Sequence, residues 1–215
     1  MKNAFRFVLK TVFSVTVFPV FMVVALVACV ISRVQGASLS SPRLFWGSVP
    51  IINNSYWSRS MRNVGFDSET FTTDFYSINA REDWDLLLSE KFALWPERLR
   101  PYLGFIYVLV SYDILFFSFQ GVFIGTSPFW RVQAPLMKLA WKRIVVIPFG
   151  GDAYIYRRTN PPALTHGLLM SYPDAARQQN RIAKRVDYWC SHAEVIIPGF
   201  MGPDGIGRWD VLLGS

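Results

Sequence analysis

The chain has 215 residues, of which 52% are hydrophobic and 16% aromatic, so it is too apolar for a disordered protein and long enough to form one core. Its net charge of +7 is typical of nucleic-acid-binding proteins, but four of the 22 cations flank one N-terminal apolar segment. From Ala37 onward the excess of basic over acidic residues is only three, without charge runs, so nucleic acid is not predicted as a partner. Cys29 and Cys190 are too few for a disulfide framework or a metal site.

The N-terminal segment predicts a membrane helix. Residues 11–32, "TVFSVTVFPVFMVVALVACVIS", contain no charge over 22 positions. At about 1.5 Å per residue this length crosses a hydrocarbon core of about 30 Å. A signal sequence is the alternative, because Val34-Gln35-Gly36 resembles a cleavage site, but the apolar stretch is longer than the usual signal core. Residues 1–36 are therefore predicted to form an anchor, and residues 37–215 the domain that follows it.

The orientation of this anchor is weakly determined by charge. Three cations precede the apolar stretch, and two, Arg33 and Arg43, follow it. Taken literally, the positive-inside rule places the domain outside the cytoplasm.

Strand-like and helix-like segments alternate after the anchor, which is typical of a mostly parallel sheet covered by helices. The predicted strands cover residues 42–47, 67–73, 84–88, 112–119, 143–149 and 194–199. The predicted helices cover residues 54–63, 96–110, 129–142 and 171–192. The expected fold class is therefore α/β, with a Rossmann-like sheet and one N-terminal transmembrane helix.

Apolar spacing predicts which helix faces are buried. In the first helix of the domain, Trp57, Met61 and Val64 lie at i, i+4 and i+7. The last helix is predicted to begin at a capping box formed by Ser171 and Asp174. Its predicted buried face consists of Ile182, Val186, Trp189 and Ala193.

Three glycine- or proline-containing loops follow predicted strands: "GSVPIINNSYW", "FQGVFIGTSPFW" and "PFGGDAYIYRR". Ligands of such sheets bind beyond the carboxyl ends of the strands, where glycine lets backbone N–H groups approach a phosphate or sugar. A tight turn with an N-capping aspartate is the alternative for any single loop. Together the three loops favour a binding site.

Several common motifs are missing from the sequence. It contains no phosphate-binding G-x-x-x-x-G-K-[ST], no dinucleotide G-x-G-x-x-G, no nucleophile G-x-S-x-G and no Cys/His metal spacing. No cofactor or metal is therefore predicted. His192 is explained by its place at a helix C-terminus, whereas His166, predicted to lie in a loop on the ligand side, is a candidate catalytic residue.

The segments "PRLFWGSVPIINNSYWSRSMRNVGFDSETFTT", "RIVVIPFGGDAYIYRR" and "RIAKRVDYWCSHAEVIIPG" carry a resemblance to a known family. They are similar to the N-terminal half of bacterial GT-B-fold glycosyltransferases that act on cell-surface polysaccharides. The resemblance implies that this half receives the acceptor, while a C-terminal half binds the nucleotide-sugar. The chain ends at Ser215, where the second half would begin, so it is expected to be an acceptor-side half from a truncated or split enzyme.

The resemblance implies hexosyl transfer from a nucleotide-sugar to a glycan or lipid-linked acceptor. Asp152 joins His166 as a candidate catalytic residue, and Arg157 or Arg158 is expected to face an acceptor phosphate. The other predicted substrate-binding residues are Gly47, Pro50, Asn53, Asn54, Tyr56, Gly150 and Gly151.

A transferase of this kind is expected at the membrane with its domain in the cytoplasm, where nucleotide-sugars are found. Two alternatives remain open. One is a non-catalytic, membrane-anchored sugar-binding or scaffold module that pairs with a separate subunit, and the other is a periplasmic sugar-binding module.

Overall fold

The structure is a computed structural model that describes residues 2–36, 41–158, 161–198 and 205–211, with side chains from Thr16 onward. The helices are α1 (Lys2–Gln35), α2 (Ile52–Asn63), α3 (Leu88–Lys91), α4 (Arg100–Ser111), α5 (Gln133–Leu139), α6 (Pro162–Ser171), α7 (Pro173–Arg177) and α8 (Gln179–His192). The strands are β1 (Arg43–Ser48), β2 (Asp67–Thr72), β3 (Leu86–Leu87), β4 (Ile114–Phe117), β5 (Arg143–Val146) and β6 (Val195–Ile196).

The six strands form one parallel sheet in the order β3-β2-β1-β4-β5-β6. The chain first builds outward from β1 to β3 and then returns to place β4 on the other side of β1. The strand order therefore reverses between β1 and β4, which is the switch point where doubly wound sheets bind ligands. The predicted α/β class and parallel Rossmann-like sheet are confirmed.

The core lies between one face of the sheet and the helices α4, α5 and α8. Phe71 of β2 packs edge-on against Tyr107 of α4, with ring centroids 5.7 Å apart. Phe117 of β4 packs in the same way against Trp189 of α8 at 4.8 Å. The apolar face predicted for the last helix is confirmed, since all four of its residues, Ile182, Val186, Trp189 and Ala193, are buried.

The opposite face of the sheet carries α2, and its buried residues differ from the predicted ones. The helix buries Ser55 and Ser58, whereas Val64 lies just beyond its end and is 71% exposed. The small serines let α2 approach the sheet closely, and the Oγ atoms of Ser58 and Ser68 lie 3.0 Å apart. Trp57 and Met61 of the predicted face are half-buried, so the prediction was wrong for Val64, and it missed the two serines because small polar side chains give no apolar signal.

The C-terminal half of α1 packs against α4 and α5. Phe21 contacts Tyr102 of α4 with ring centroids 5.1 Å apart, and the small Ala25 and Ala28 are buried. Ser32 Oγ donates to the Ala140 carbonyl at 3.0 Å, just past the end of α5, where carbonyls have no intrahelical donor. This half of α1 is therefore part of the core.

The other face of α1 is apolar and exposed. The valines of this face recur at helical spacing and include Val20, Val23, Val27, Val30 and Val34. The segment Thr16–Gln35 is long and apolar enough to cross a membrane, and 28% of its most apolar stretch is buried against the rest of the chain. Buried core helices and signal sequences share this length and composition.

The predicted 171–192 helix is divided in the structure. Pro173 begins the short α7, and α8 begins only at Gln179. Ser171 is the last residue of α6 and no side chain caps α7, so the predicted capping box was wrong. His166 lies in α6 rather than in a loop. This helix is apolar on all sides and so lacks the periodicity that would have predicted it.

Other boundaries differ by smaller amounts. The helix predicted from residue 96 begins at Arg100, next to Pro101, because Pro96 instead accepts a turn hydrogen bond from Leu99. The helix predicted over 129–142 is restricted to Gln133–Leu139. The predicted end of the last strand at residue 199 and the start of the domain at residue 37 lie outside the described residues.

Candidate functional site

Two clefts open at the carboxyl edge of the sheet. The first, called here the switch-point cleft, has a volume of about 440 Å³ and lies beyond the ends of β1, β2 and β4. The second, called the basic cleft, has a volume of about 260 Å³ and lies between the ends of β4 and β5 and the beginning of α8. Both lie where parallel sheets present loops and helix ends to ligands.

One wall of the switch-point cleft is formed by the loop after β2. Asp74 is exposed, and its Oδ1 accepts the Phe75 N–H at 2.9 Å. Tyr76, two residues further on, is 50% exposed. The Thr72 hydroxyl donates to the Asp74 carbonyl at 2.9 Å and so fixes the start of the loop. The wall therefore includes an exposed acidic residue and an exposed aromatic residue.

The floor of this cleft is the loop that follows β4. Ser48 Oγ, at the end of β1, donates to the Gly121 carbonyl at 3.1 Å. The buried Gln133 side chain accepts the Val122 N–H at 2.8 Å and donates to the Trp130 carbonyl at 3.0 Å. Satisfied polar contacts of this kind hold the loop in one conformation.

Asp152 lies at the wall of the basic cleft and joins two loops. Its Oδ2 accepts the Phe119 N–H at 3.0 Å, and its Oδ1 accepts the N–H groups of Phe149 and Gly150, both at 3.1 Å. Only 7% of the residue is exposed. Burial raises the pKa of the carboxyl to about 6, and the three N–H donors limit this rise. Asp152 thus ties the end of β4 to the end of β5.

Arg185 reaches the same cleft from α8. It is 7% exposed and donates through Nη1 to the Gln120 carbonyl at 3.2 Å, and through Nη2 to the Gly125 carbonyl. Arg181, one turn earlier, also lines the cleft. Burial lowers the pKa of Arg185 to about 10, and the positive charge of Arg181 adds to this decrease.

Three of the predicted site residues line these clefts: Pro50 lines the switch-point cleft, and Gly151 and Asp152 line the basic cleft. Gly47 has a packing role, since a Cβ atom there would lie 2.1 Å from the Phe71 carbonyl oxygen. Gly150 adopts φ +149°, a backbone conformation that the turn requires and that favours glycine.

The remaining predicted residues lie outside the lining of both clefts, as far as the described chain shows. On α2, Asn53 and Tyr56 are exposed, and Asn54 Nδ2 donates to the Val49 carbonyl at 3.2 Å. The other three lie further along the chain: Arg157 is exposed, Arg158 pairs with Asp187 at 2.8 Å, and His166 is exposed on α6.

The sequence analysis missed the cleft residues Asp74, Tyr76, Arg181 and Arg185. A signal for the first two was available, because they directly follow the predicted strand 67–73 and so lie at its carboxyl end. Arg181 and Arg185 are four residues apart in the predicted last helix, but their neighbours across the cleft come from distant loops. Sequence spacing alone does not reveal such a contact.

Within the described residues, no group of three or more His, Cys, Asp or Glu side chains is arranged to hold a metal ion. No protein-family model, no curated protein and no solved structure matches the chain. The chemistry of the two clefts is therefore interpreted from their geometry.

Proposed function

We propose that this chain is the acceptor-binding half of a membrane-associated glycosyltransferase, which transfers a hexose from a nucleotide-sugar to a glycan or lipid-linked acceptor. The observation that carries the proposal is the switch-point cleft, where a carboxylate and an aromatic ring stand at the reversal of a parallel sheet. The sequence resemblance to the acceptor-side half of GT-B enzymes supplies the reaction class.

The chemistry of the switch-point cleft fits a sugar. A hexose ring has an apolar face that packs on an aromatic ring such as that of Tyr76, and hydroxyl groups that donate to a carboxylate such as that of Asp74. Hydrogen bonds to a charged group contribute about 1.5–3 kcal/mol. A volume of about 440 Å³ lies within the usual range for small-molecule sites.

The exposed valine face of α1 supports membrane association. Valines on one side and buried contacts to α4 and α5 on the other allow the helix to face lipid while it remains packed on the domain. The donor nucleotide-sugar would be held by a second half, as the resemblance implies, with the domain on the cytoplasmic side.

One observation favours the alternative of a non-catalytic sugar-binding module. His166 is exposed on α6, away from the lining of both clefts, and both oxygens of Asp152 already accept backbone N–H groups. Neither predicted catalytic group lines the switch-point cleft, where it would have to act as a base on an acceptor.

Glycan binding by the full-length chain in detergent tests the proposal. We expect Tyr76→Ala and Asp74→Asn each to raise the Kd for glycans captured on a polysaccharide-fragment array at least tenfold, which corresponds to about 1.4 kcal/mol. The matched controls are Tyr56→Ala, with 55% exposure on α2, and Asp67→Asn, at the opposite end of β2. Equal effects in the variants and the controls would overturn the assignment.

A second readout separates the two functions. Membranes from cells that lack this chain are supplied with UDP-[14C]glucose and the purified protein. Transfer of label to lipid or glycan that depends on both the chain and Tyr76 supports the transferase. Glycan binding without transfer, tested over a set of nucleotide-sugars, supports the binding module.

A further inference from the structure

The buried guanidinium of Arg185 has no anionic partner among the residues that the structure describes. Its two hydrogen bonds go to neutral carbonyls, those of Gln120 and Gly125, and its Nε has no acceptor. Buried charges in proteins are usually paired, because an isolated charge loses its hydration without compensation. The side chain thus keeps a positive charge at the wall of an open cleft, while its Nε–H is buried without an acceptor.

A second cation increases the positive potential of the same cleft. Arg181 precedes Arg185 by one helical turn and likewise forms no ion pair within the described part of the chain. Like charges at i and i+4 repel each other in an isolated helix. Two neighbouring arginines, by contrast, have carboxylate partners: Arg158 pairs with Asp187 at 2.8 Å and Arg177 pairs with Asp174 at 3.2 Å. Of these four arginines, the two that line the cleft have no carboxylate partner among the described residues.

The cleft is lined by one carboxylate against two guanidinium groups, so an excess of positive charge remains. Asp152 is its acidic residue, and both of its oxygens are used by backbone N–H groups. The first turn of α8, a helix of 14 residues, borders the cleft through Arg181 and Ile182. The positive end of a helix dipole favours an anion at that position.

We propose that the basic cleft binds a phosphate or diphosphate group, with Arg185 at its floor and Arg181 at its mouth. A guanidinium presents N–H donors in a planar fork that matches phosphate oxygens. The cleft has a volume of about 260 Å³. One water molecule occupies about 30 Å³ of the liquid, so the cleft has the volume of about eight water molecules, which is enough for a diphosphate. The phosphate site is inferred from the geometry of the cleft alone. Only the nature of the group that carries the phosphate rests on the proposed function.

The site is tested by isothermal titration calorimetry, in which inorganic pyrophosphate is added to the full-length chain in detergent. We expect Arg181→Gln to weaken binding at least tenfold, because the variant loses charge-assisted hydrogen bonds to the phosphate oxygens. Arg177→Gln is the matched control, because it removes the same charge from an exposed position outside the cleft and should bind like the wild type. Gly151→Leu should also abolish binding, because a Cβ atom there meets nothing within 4 Å and the longer side chain fills the opening.

Arg185→Met should abolish binding, with circular dichroism as a check of folding, since Arg185 also holds the loop after β4. Arg181→Gln and Gly151→Leu decide the question even if this variant does not fold. The proposal is overturned if the wild type does not bind pyrophosphate, or if Arg181→Gln and Arg177→Gln bind equally well.

Geranyl diphosphate identifies the source of the phosphate. Tighter binding of geranyl diphosphate than of pyrophosphate assigns a lipid-borne group, and equal binding assigns a soluble sugar phosphate. Pyrophosphate binding without glycan binding would support the phosphate site and contradict the proposed transferase. Glycan binding without pyrophosphate binding would contradict the phosphate site and leave the proposed transferase in place.

Discussion

The buried ionisable residues at the two edges of the sheet have different kinds of partner. At the amino edge, Asp113 accepts the backbone N–H of Arg43 at 2.9 Å and its Nε at 3.2 Å, and Lys142 Nζ lies 3.8 Å from the other carboxylate oxygen. At the carboxyl edge, Asp152 accepts only backbone N–H groups and Arg185 donates only to carbonyls. The cations at the first edge share a carboxylate partner, whereas Arg185 at the second has none among the described residues and lines an open cleft.

This difference separates structural ionisable groups from candidate binding groups more clearly than burial does. Asp113, Lys142, Asp152 and Arg185 are all buried, with exposures between 4% and 7%. What distinguishes them is whether a charged partner lies within reach and whether an open cleft lies beside them.

The largest effect is expected at the amino edge. Asp113→Ala leaves Lys142 and Arg43 without their carboxylate, and removal of one partner from a buried ion pair costs about 3–5 kcal/mol. Urea unfolding should show this loss in the free energy of unfolding. Pyrophosphate affinity, measured where the variant is folded, should stay at the wild-type value, and a loss of affinity would contradict the separation of the two edges.

Stability should depend on pH with opposite signs at the two edges. Burial lowers the pKa of Lys142 to about 8 from 10.5, so the unfolded chain binds its proton more tightly and the free energy of unfolding rises between about pH 8 and 10.5. Burial raises the pKa of Asp152 from 3.8 to about 6, so the free energy of unfolding falls as the pH rises through that interval. Each change is on the order of 3 kcal/mol at about 1.4 kcal/mol per pKa unit.

Single variants assign each pH interval to its residue. Lys142→Met should remove the rise at high pH and leave the fall at low pH unchanged. Asp152→Asn should remove the fall at low pH and also lower stability throughout, because an amide offers one acceptor oxygen where the carboxylate uses two. A rise at high pH that persists in Lys142→Met would show that another group is responsible.

The smallest effect is expected at Gly150 and Gly151, in the loop after β5. Gly150→Ala should cost about 1–2 kcal/mol, because φ +149° is unfavourable for a residue with a side chain. Gly151→Ala should change stability by less than about 0.5 kcal/mol, since its Cβ atom meets nothing within 4 Å. Thermal denaturation of the two variants measures the difference, and equal melting temperatures would show that the turn does not need Gly150.

Local patterns predicted the strands and the buried face of α8, because apolar residues at regular spacing directly reflect burial against one neighbour. They failed for α6, whose apolar residues surround the helix, and for the part of α2 where Ser58 packs against Ser68. They also identified the Asp152 loop but missed Arg185. The partners of Arg185 are carbonyls 60 and 65 residues away in sequence, which only the folded chain brings together.

The packing of α1 has a consequence for how the protein would meet its substrates. Ser32 and Arg33 bond to carbonyls at the end of α5, and Phe21 packs on α4, so the helix and the sheet move as one body. A bilayer that held this helix would also set the height and tilt of both clefts above the headgroups. Lateral diffusion in the plane of the membrane, rather than the swing of a tethered domain, would then bring the clefts to their ligands.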